Sequence, residues 1–220
     1  MNRETIASYI DHTLLKPDAD ISHIKTHCED ALAYGFHAIC TYPLLIKSAS
    51  QILKNSKVKI CSVAGFPLGT NSSDSKLSEI ENCLKHGANE IDMVMNIGLF
   101  KIGNYRVVEH EITEAKKMIE QNVLKIIIET SALTKNEIVS ASKLAEGSGA
   151  NYIKTSTGFH TEGASEKNIQ LIKKSIKPKT RIKASGGIKS LKQVKKMLNA
   201  GADRIGTSSG IIIMKEIPLN

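Results

Sequence analysis

The stretch Leu191-Lys192-Gln193-Val194-Lys195-Lys196-Met197-Leu198-Asn199-Ala200-Gly201-Ala202-Asp203-Arg204-Ile205-Gly206 holds one complete structural unit and sets the reading of the rest. Leu191, Val194, Met197 and Leu198 fall on one helical face while Lys192, Lys195 and Lys196 face away, so residues 191–199 predict an amphipathic helix lying on a sheet. Gly201 then stands where a left-handed residue closes the last turn. A short apolar run, Arg204 to Gly206, follows as a strand.

The same junction phrase occurs three more times, as Tyr34-Gly35-Phe36-His37, His86-Gly87-Ala88-Asn89 and Ser148-Gly149-Ala150-Asn151, and each is followed within two residues by Ile. Helix-to-strand junctions therefore recur along the chain. Eight short runs, mostly rich in Val and Ile, read as strands: Ser8 to Ile10, His37 to Thr41, Val58 to Ala64, Glu90 to Met95, Leu124 to Glu129, Tyr152 to Thr155, Arg181 to Ala184 and Arg204 to Gly206. Helical spacing fills the intervals Ile21 to Tyr34, Pro43 to Asn55, Ser73 to His86, Tyr105 to Gln121, Lys135 to Gly147 and Ala164 to Lys174, with Gly210 to Met214 as the start of a last helix. This alternation builds a parallel sheet, and eight strands fit a closed (β/α)8 TIM barrel better than an open doubly wound sheet. With 220 residues and no Pro/Gly/Ser-rich linker, one domain spanning 1–220 is expected.

Hydrophobic residues at 41% and charged residues at 24% describe an ordinary globular chain. The net charge of +8 raises the question of an anionic partner, but the lysines are spread over nearly every predicted helix, as at Lys116-Lys117 and Lys173-Lys174, with only 4% aromatic residues. Solvated helix faces account for them, and a nucleic-acid partner is not expected. Cys28, Cys40, Cys61 and Cys83 form no C-x-x-C pair, so they read as reduced thiols rather than a zinc site or disulfide framework. Asn2-Arg3-Glu4 is no leader start, and no run approaches the ~20 apolar residues of a membrane helix, so a cytoplasmic protein without membrane contact is expected.

Barrel sites form at the C-terminal ends of the strands. Polar residues there are Asp11 and Thr13 after the first strand, Cys40 after the second, Asp92 in the fourth, Glu129 and Thr130 after the fifth, Lys154 in the sixth and Lys183 in the seventh. Lysine is depleted in strands and rarely buried, so Lys154 and Lys183 are the sharpest signals. On neighbouring strands about 4.8 Å apart they would face each other, and repulsion with desolvation would favour a neutral, nucleophilic amine suited to forming a Schiff base. A protonated imine withdraws electrons and lets the adjacent C–C bond break to an enamine. Asp92 is expected either to relay protons or to form a structural ion pair with one lysine. Ser185-Gly186-Gly187 and Gly206-Thr207-Ser208-Ser209-Gly210 end the last two strands, where backbone N–H groups can approach a phosphate. His23 and His27 lie four apart on a helix but lack a third ligand, and are read as exposed helix histidines rather than a metal site.

Five stretches carry a family resemblance: Asp11-His12-Thr13-Leu14-Leu15-Lys16-Pro17, Gly65-Phe66-Pro67-Leu68-Gly69, Glu90-Ile91-Asp92-Met93-Val94, Lys154-Thr155-Ser156-Thr157-Gly158-Phe159 and Lys183-Ala184-Ser185-Gly186-Gly187-Ile188. Together, in order and over almost the whole chain, they resemble the deoxyribose-phosphate aldolase family. The resemblance implies that Lys154 forms the Schiff base, Lys183 tunes it and Asp92 serves a proton relay. It matches Thr157, Gly158, Gly186, Gly187, Gly206, Ser208 and Ser209 to phosphate binding, and Asp11, Thr13 and Cys40 to the substrate end. It implies reversible cleavage of 2-deoxy-D-ribose 5-phosphate to D-glyceraldehyde 3-phosphate and acetaldehyde, without metal or organic cofactor, by a homo-oligomer, dimer or tetramer.

Two departures stand out. Phe159 occupies a position where some members place a phosphate-binding lysine, which shifts cationic load toward Lys189. The stretch Ile213 to Asn220 has no tyrosine, whereas some members end on one used in proton transfer, a difference bearing on efficiency more than on identity. The competing enzymatic reading is another Schiff-base barrel aldolase acting on a ketose phosphate, which acetaldehyde dependence separates.

Overall fold

A computed structural model describes residues 1–218, so Leu219 and Asn220 of the tyrosine-free stretch lie outside the described residues. Eight parallel strands close on themselves in sequence order: β1 Ile10–Leu14, β2 Ala38–Thr41, β3 Lys59–Ala64, β4 Glu90–Val94, β5 Val123–Ile127, β6 Tyr152–Lys154, β7 Arg181–Ser185 and β8 Arg204–Thr207. Around them run α1 Arg3–Ala7, α2 Ile21–Tyr34, α3 Ile46–Leu53, α4 Ser73–Lys85, α5 Ile97–Lys101, α6 Tyr105–Ile119, α7 Lys135–Gly147, α8 Glu166–Ser175, α9 Leu191–Ala200 and α10 Gly210–Lys215. The expected (β/α)8 barrel is the observed fold. Closure rests on the pairing of β1 with β8, where Ile10 faces Ile205 and Asp11 faces Gly206.

The four glycine junctions behave as the repeat requires: Gly35, Gly87, Gly149 and Gly201 have φ of 68°, 105°, 97° and 112°, conformations that side chains with a Cβ resist. Each lets the chain leave a helix and turn straight into a strand.

Two expectations need correction. The first strand is Ile10–Leu14 rather than Ser8 to Ile10, so Asp11 and Thr13 lie within it and not after it. Its inward positions are polar, and the missing apolar alternation hid it. Two five-residue helices, α1 and α5, are too short to show a period; each begins at an asparagine cap, Asn2 accepting from the Thr5 N–H and Asn96 from the Leu99 N–H.

Packing follows from which strand face meets the helices. Ile39, Ile91, Ile126, Ile153, Ile182 and Ile205 join Ile24, Ile46, Ile112 and Ile169 from the helices in one buried cluster around the barrel. Burial of such side chains contributes about 1.5–3 kcal/mol each relative to exposure. The barrel interior is different. Barrels of this class are commonly filled by branched apolar side chains, but here Asp11, Glu90, Asp92, Lys125, Lys183 and Arg204 occupy the inside, each at most 5% exposed. A small apolar group of Leu15, Cys40, Cys61 and Val63 lies beside them, covered by Tyr42 and Phe66.

Candidate active site

Strand register brings the interior charges together. Lys154 and Lys183 are direct partners across β6 and β7, as expected, and Asp92 pairs in register with Lys125 across β4 and β5. Asp92 is the hub: its Oδ2 accepts from Lys154 Nζ at 2.6 Å and Lys183 Nζ at 2.8 Å, while its Oδ1 accepts from Lys125 Nζ at 2.9 Å. Lys183 also donates to Asp11 Oδ2 at 2.5 Å. Lys125 reaches Glu90 Oε2 at 2.6 Å. Arg204 bridges Asp11 Oδ1 at 2.8 Å and Glu90 Oε2 at 3.4 Å, and bonds the Tyr152 hydroxyl at 3.2 Å.

This geometry revises the electrostatic expectation. Burial would push the Lys183 ammonium toward neutrality, but Asp11 and Asp92 outweigh both burial and neighbouring cations and raise its pKa. Lys183 is thus a held ammonium, not a second free amine. Burial would likewise raise the Asp92 carboxyl, but Lys125, Lys154 and Lys183 hold it well below the ordinary carboxylate range. Asp92 is neither partner of a single lysine nor an isolated relay; it serves three.

Four cations, Lys125, Lys154, Lys183 and Arg204, face three carboxylates, Asp11, Glu90 and Asp92, so one positive charge is in excess. The lysines are not equivalent. Among the described residues Lys154 has a single hydrogen-bond acceptor, an oxygen it shares with Lys183, and it alone of the four lines the cavity at the mouth of the barrel. The alternative left open between Lys154 and Lys183 is therefore separable by access.

The cavity has a volume of about 540 Å³. Of the residues anticipated for substrate, Thr13, Thr157, Gly158, Gly186, Gly187, Lys189, Gly206 and Ser208 line it. Asp11, Cys40, Asp92 and Lys183 lie beneath it, fully buried. Ser209 is set back from the lining and donates its N–H to Thr207 Oγ1 at 2.9 Å. Lys16, which sequence reading passed over, joins Lys154 and Lys189 as a lining cation, against one lining carboxylate, Asp30.

Close packing explains two of the glycines. A Cβ on Gly206 would stand 3.0 Å from Lys183 Cε, so the bare backbone leaves room for the lysine stem. A Cβ on Gly186 would stand 2.9 Å from Gly163 Cα, where the loops after β6 and β7 touch. Ala164 N–H ties those loops by donating to Ser185 O at 3.0 Å. Glu129 fixes the β6 loop from the other side. Its backbone sits at φ 50°, and its buried carboxylate accepts from the Thr157 N–H at 3.0 Å and hydroxyl at 2.5 Å.

The histidine expectation divides. His23 is exposed and closes the α2 capping box with Asp20. His27 is buried rather than exposed, and its ring stacks on His12 with centroids 3.7 Å apart. Burial pushes the His27 imidazole down to about 4 and His12 to about 2, so both are neutral at ordinary pH. Among the described residues, Cys40, Cys61 and Asp92 place possible ligand atoms within 4.8 Å of one another. Those Asp92 oxygens already serve three ammonium groups, which a divalent ion would have to displace.

A sequence profile for DeoC/LacD family aldolases matches residues 5–217. The chain is 44% identical to a deoxyribose-phosphate aldolase of Clostridium kluyveri over 98% of its length and 100% of the relative's. It is 47% identical to one of Mycoplasmopsis pulmonis over 94% of both. The structure of a tetrameric deoxyribose phosphate aldolase from Aeropyrum pernix superposes with a TM-score of 0.90 at 32% identity, covering 98% of this chain and 92% of that one. Fold and matches define a lyase of the barrel aldolase class. Within it, the chain belongs to the DeoC/LacD aldolase family.

Proposed function

We propose that the chain reversibly cleaves 2-deoxy-D-ribose 5-phosphate to D-glyceraldehyde 3-phosphate and acetaldehyde through a Schiff base on Lys154. The observation that carries this is that Lys154 lines the cavity while its Nζ, among the described residues, bonds only an Asp92 oxygen shared with Lys183. The Lys154 amine adds to the C1 aldehyde and water leaves, giving an iminium. Loss of the C3 hydroxyl proton then breaks the C2–C3 bond, and the electron pair enters the iminium to form an enamine. Protonation of that enamine at C2 and hydrolysis return acetaldehyde and the amine. Asp92, ionised at rest, accepts and passes protons within reach of both ammonium groups, and Lys183 stores one. The substrate phosphate is received by the Gly186–Gly187 and Gly206–Ser208 loops, with Lys16 and Lys189 supplying positive charge.

Residues 1–220 act as one barrel domain in this reading. The tetrameric Aeropyrum pernix relative supports a homo-oligomer, and a cytoplasmic enzyme is part of the same proposal. Among the described residues no helix is long and apolar enough to cross a membrane.

Acetaldehyde release from 2-deoxyribose 5-phosphate tests the reading, with unphosphorylated 2-deoxyribose cleaved far less efficiently. Lys189→Ala should raise KM for the phosphorylated substrate roughly 3- to 10-fold with kcat little changed, the size of one solvent-exposed charge-assisted contact. Cleavage of a ketose phosphate with no acetaldehyde from 2-deoxyribose 5-phosphate would favour the other Schiff-base reading.

A further inference from the structure

We propose that Lys125 and Glu90, in the layer of the barrel below the candidate site, are positioning residues that set how readily Lys154 becomes a free amine, acting through Asp92. This inference rests on the assignment of the Schiff base to Lys154.

Lys125 is wholly buried on β5 and is not part of the lining of the candidate site, so it does not meet substrate there directly. Its Nζ divides between Asp92 Oδ1 at 2.9 Å and Glu90 Oε2 at 2.6 Å, with Cys61 Sγ at 3.3 Å and Asp11 Oδ2 at 4.0 Å. The charged and titratable groups packed against this layer form one net, which Arg181 joins at its edge by donating to the Tyr152 hydroxyl at 3.1 Å. Just before β2, His37 Nε2 lies 3.2 Å from Glu90 Oε1, and from β2 Cys40 Sγ lies 4.0 Å from Asp92 Oδ2. From β3, Cys61 donates to Asp92 Oδ1 at 3.1 Å. β6 supplies Tyr152 and Lys154, β7 supplies Lys183, and β8 supplies Arg204 on Glu90 and Asp11.

Asp92 is thus divided by its two oxygens: Oδ1 is neutralised from below by Lys125, and Oδ2 is left to Lys154 and Lys183. The more completely Lys125 satisfies Asp92, the less that carboxylate holds a proton on Lys154. Glu90 opposes this by drawing Lys125 away from Asp92 and by adding negative charge to the interior. The layer beneath the site therefore sets the excess positive charge that Lys154 experiences.

The two residues carry opposite signs, and that gives the test. The acid limb of kcat/KM for 2-deoxyribose 5-phosphate cleavage reports the essential base of the free enzyme. Lys125→Met leaves Asp92 free to hold Lys154 protonated, so its limb moves to higher pH. Glu90→Gln removes negative charge, so its limb moves to lower pH. Each shift should be on the order of one to two pH units, as for a unit charge lost just beyond a bridging carboxylate at an effective dielectric of about 20. The double variant Glu90→Gln/Lys125→Met removes one charge of each sign and should return the limb close to that of the unsubstituted enzyme.

A purely structural role would lower activity in both single variants without opposed shifts. Limbs that stay in place, or that move in the same direction, overturn the proposal. If Lys125→Met does not fold, Glu90→Gln and the charge-balanced double variant carry the comparison. Borohydride trapping with acetaldehyde on the unsubstituted enzyme separates the role of Lys125 and Glu90 from the assignment of Lys154. An adduct on Lys154 with unmoved limbs defeats this inference alone; no adduct on Lys154 defeats the assignment beneath it as well.

Discussion

Replacing Asp92 by Asn is expected to lower kcat about 10³-fold or more while KM for 2-deoxyribose 5-phosphate changes by less than about 10-fold. General acid–base groups typically contribute 10²- to 10⁴-fold, and Asp92 is placed to serve three proton-bearing groups at once, Lys125, Lys154 and Lys183. The side chain lies beneath the cavity and does not line it, so substrate binding should be largely spared. Asn keeps the shape and one acceptor but loses the charge. The interior then holds four cations against two carboxylates, Asp11 and Glu90, and Lys154 loses the group that takes up and returns its proton. Steady-state kinetics of the purified variant, with folding checked by circular dichroism, gives the answer. A kcat within 10-fold of the unsubstituted enzyme would remove Asp92 from the proton path.

Lys183→Met should cost both activity and stability. The ammonium holds Asp11 and Asp92 together at 2.5 and 2.8 Å, and the methionine leaves these two buried carboxylates with one partner fewer each. Breaking a buried pair from one side typically costs 3–5 kcal/mol, because the remaining charge stays desolvated. Urea unfolding at pH 7 should show a loss of that order, with kcat lower by about 10²-fold or more. The pH dependence follows from the carboxylates. In the unsubstituted protein Asp11 has a pKa lowered from 3.8; burial opposes this, and Lys183 is the strongest cation among its causes. Such a group contributes stability that is present above its unfolded value and lost as pH falls through its folded value. Removing Lys183 shrinks that contribution, so the stability gap between the two proteins should be full above about pH 4 and narrow as pH falls further. A gap independent of pH would mean that lost packing, rather than lost charge compensation, causes the effect.

What the sequence made legible divides along the two faces of the strands. The outer faces are isoleucine-rich and alternate with amphipathic helices and glycine junctions, so the barrel could be counted from local patterns. β1 escapes a local reading because its inner face carries Asp11 and Thr13, which look like loop residues until the barrel is closed. Lys154, Lys183 and Asp92 announced themselves as charges inside apolar strands. Lys125 carries the same signal in Leu124-Lys125-Ile126-Ile127, but it lies early in its strand, away from the end where chemistry was sought. Glu90 and Arg204 follow glycine junctions and look like ordinary strand starts. Only closure of β8 on β1 sets Arg204 beside Asp11, 193 residues away in sequence, and brings it to Glu90. Lys154 and Lys183 do face each other across β6 and β7, but the carboxylate they share, Asp92, comes from a strand 62 and 91 residues away in sequence and offsets their repulsion, which no local pattern shows. Lys16 and His27 are hidden for a similar cause: neither has a local pattern around it that marks a site, and only the fold brings both to the cavity, His27 as a buried ring.

Incubating the protein with acetaldehyde and borohydride, then measuring intact mass and mapping the modified peptide, decides whether Lys154 is the covalent residue. One reduced two-carbon adduct is expected on Lys154, absent from Lys154→Ala, with Lys125 and Lys183 unmodified. An adduct on Lys183, or none in a folded protein, would contradict it.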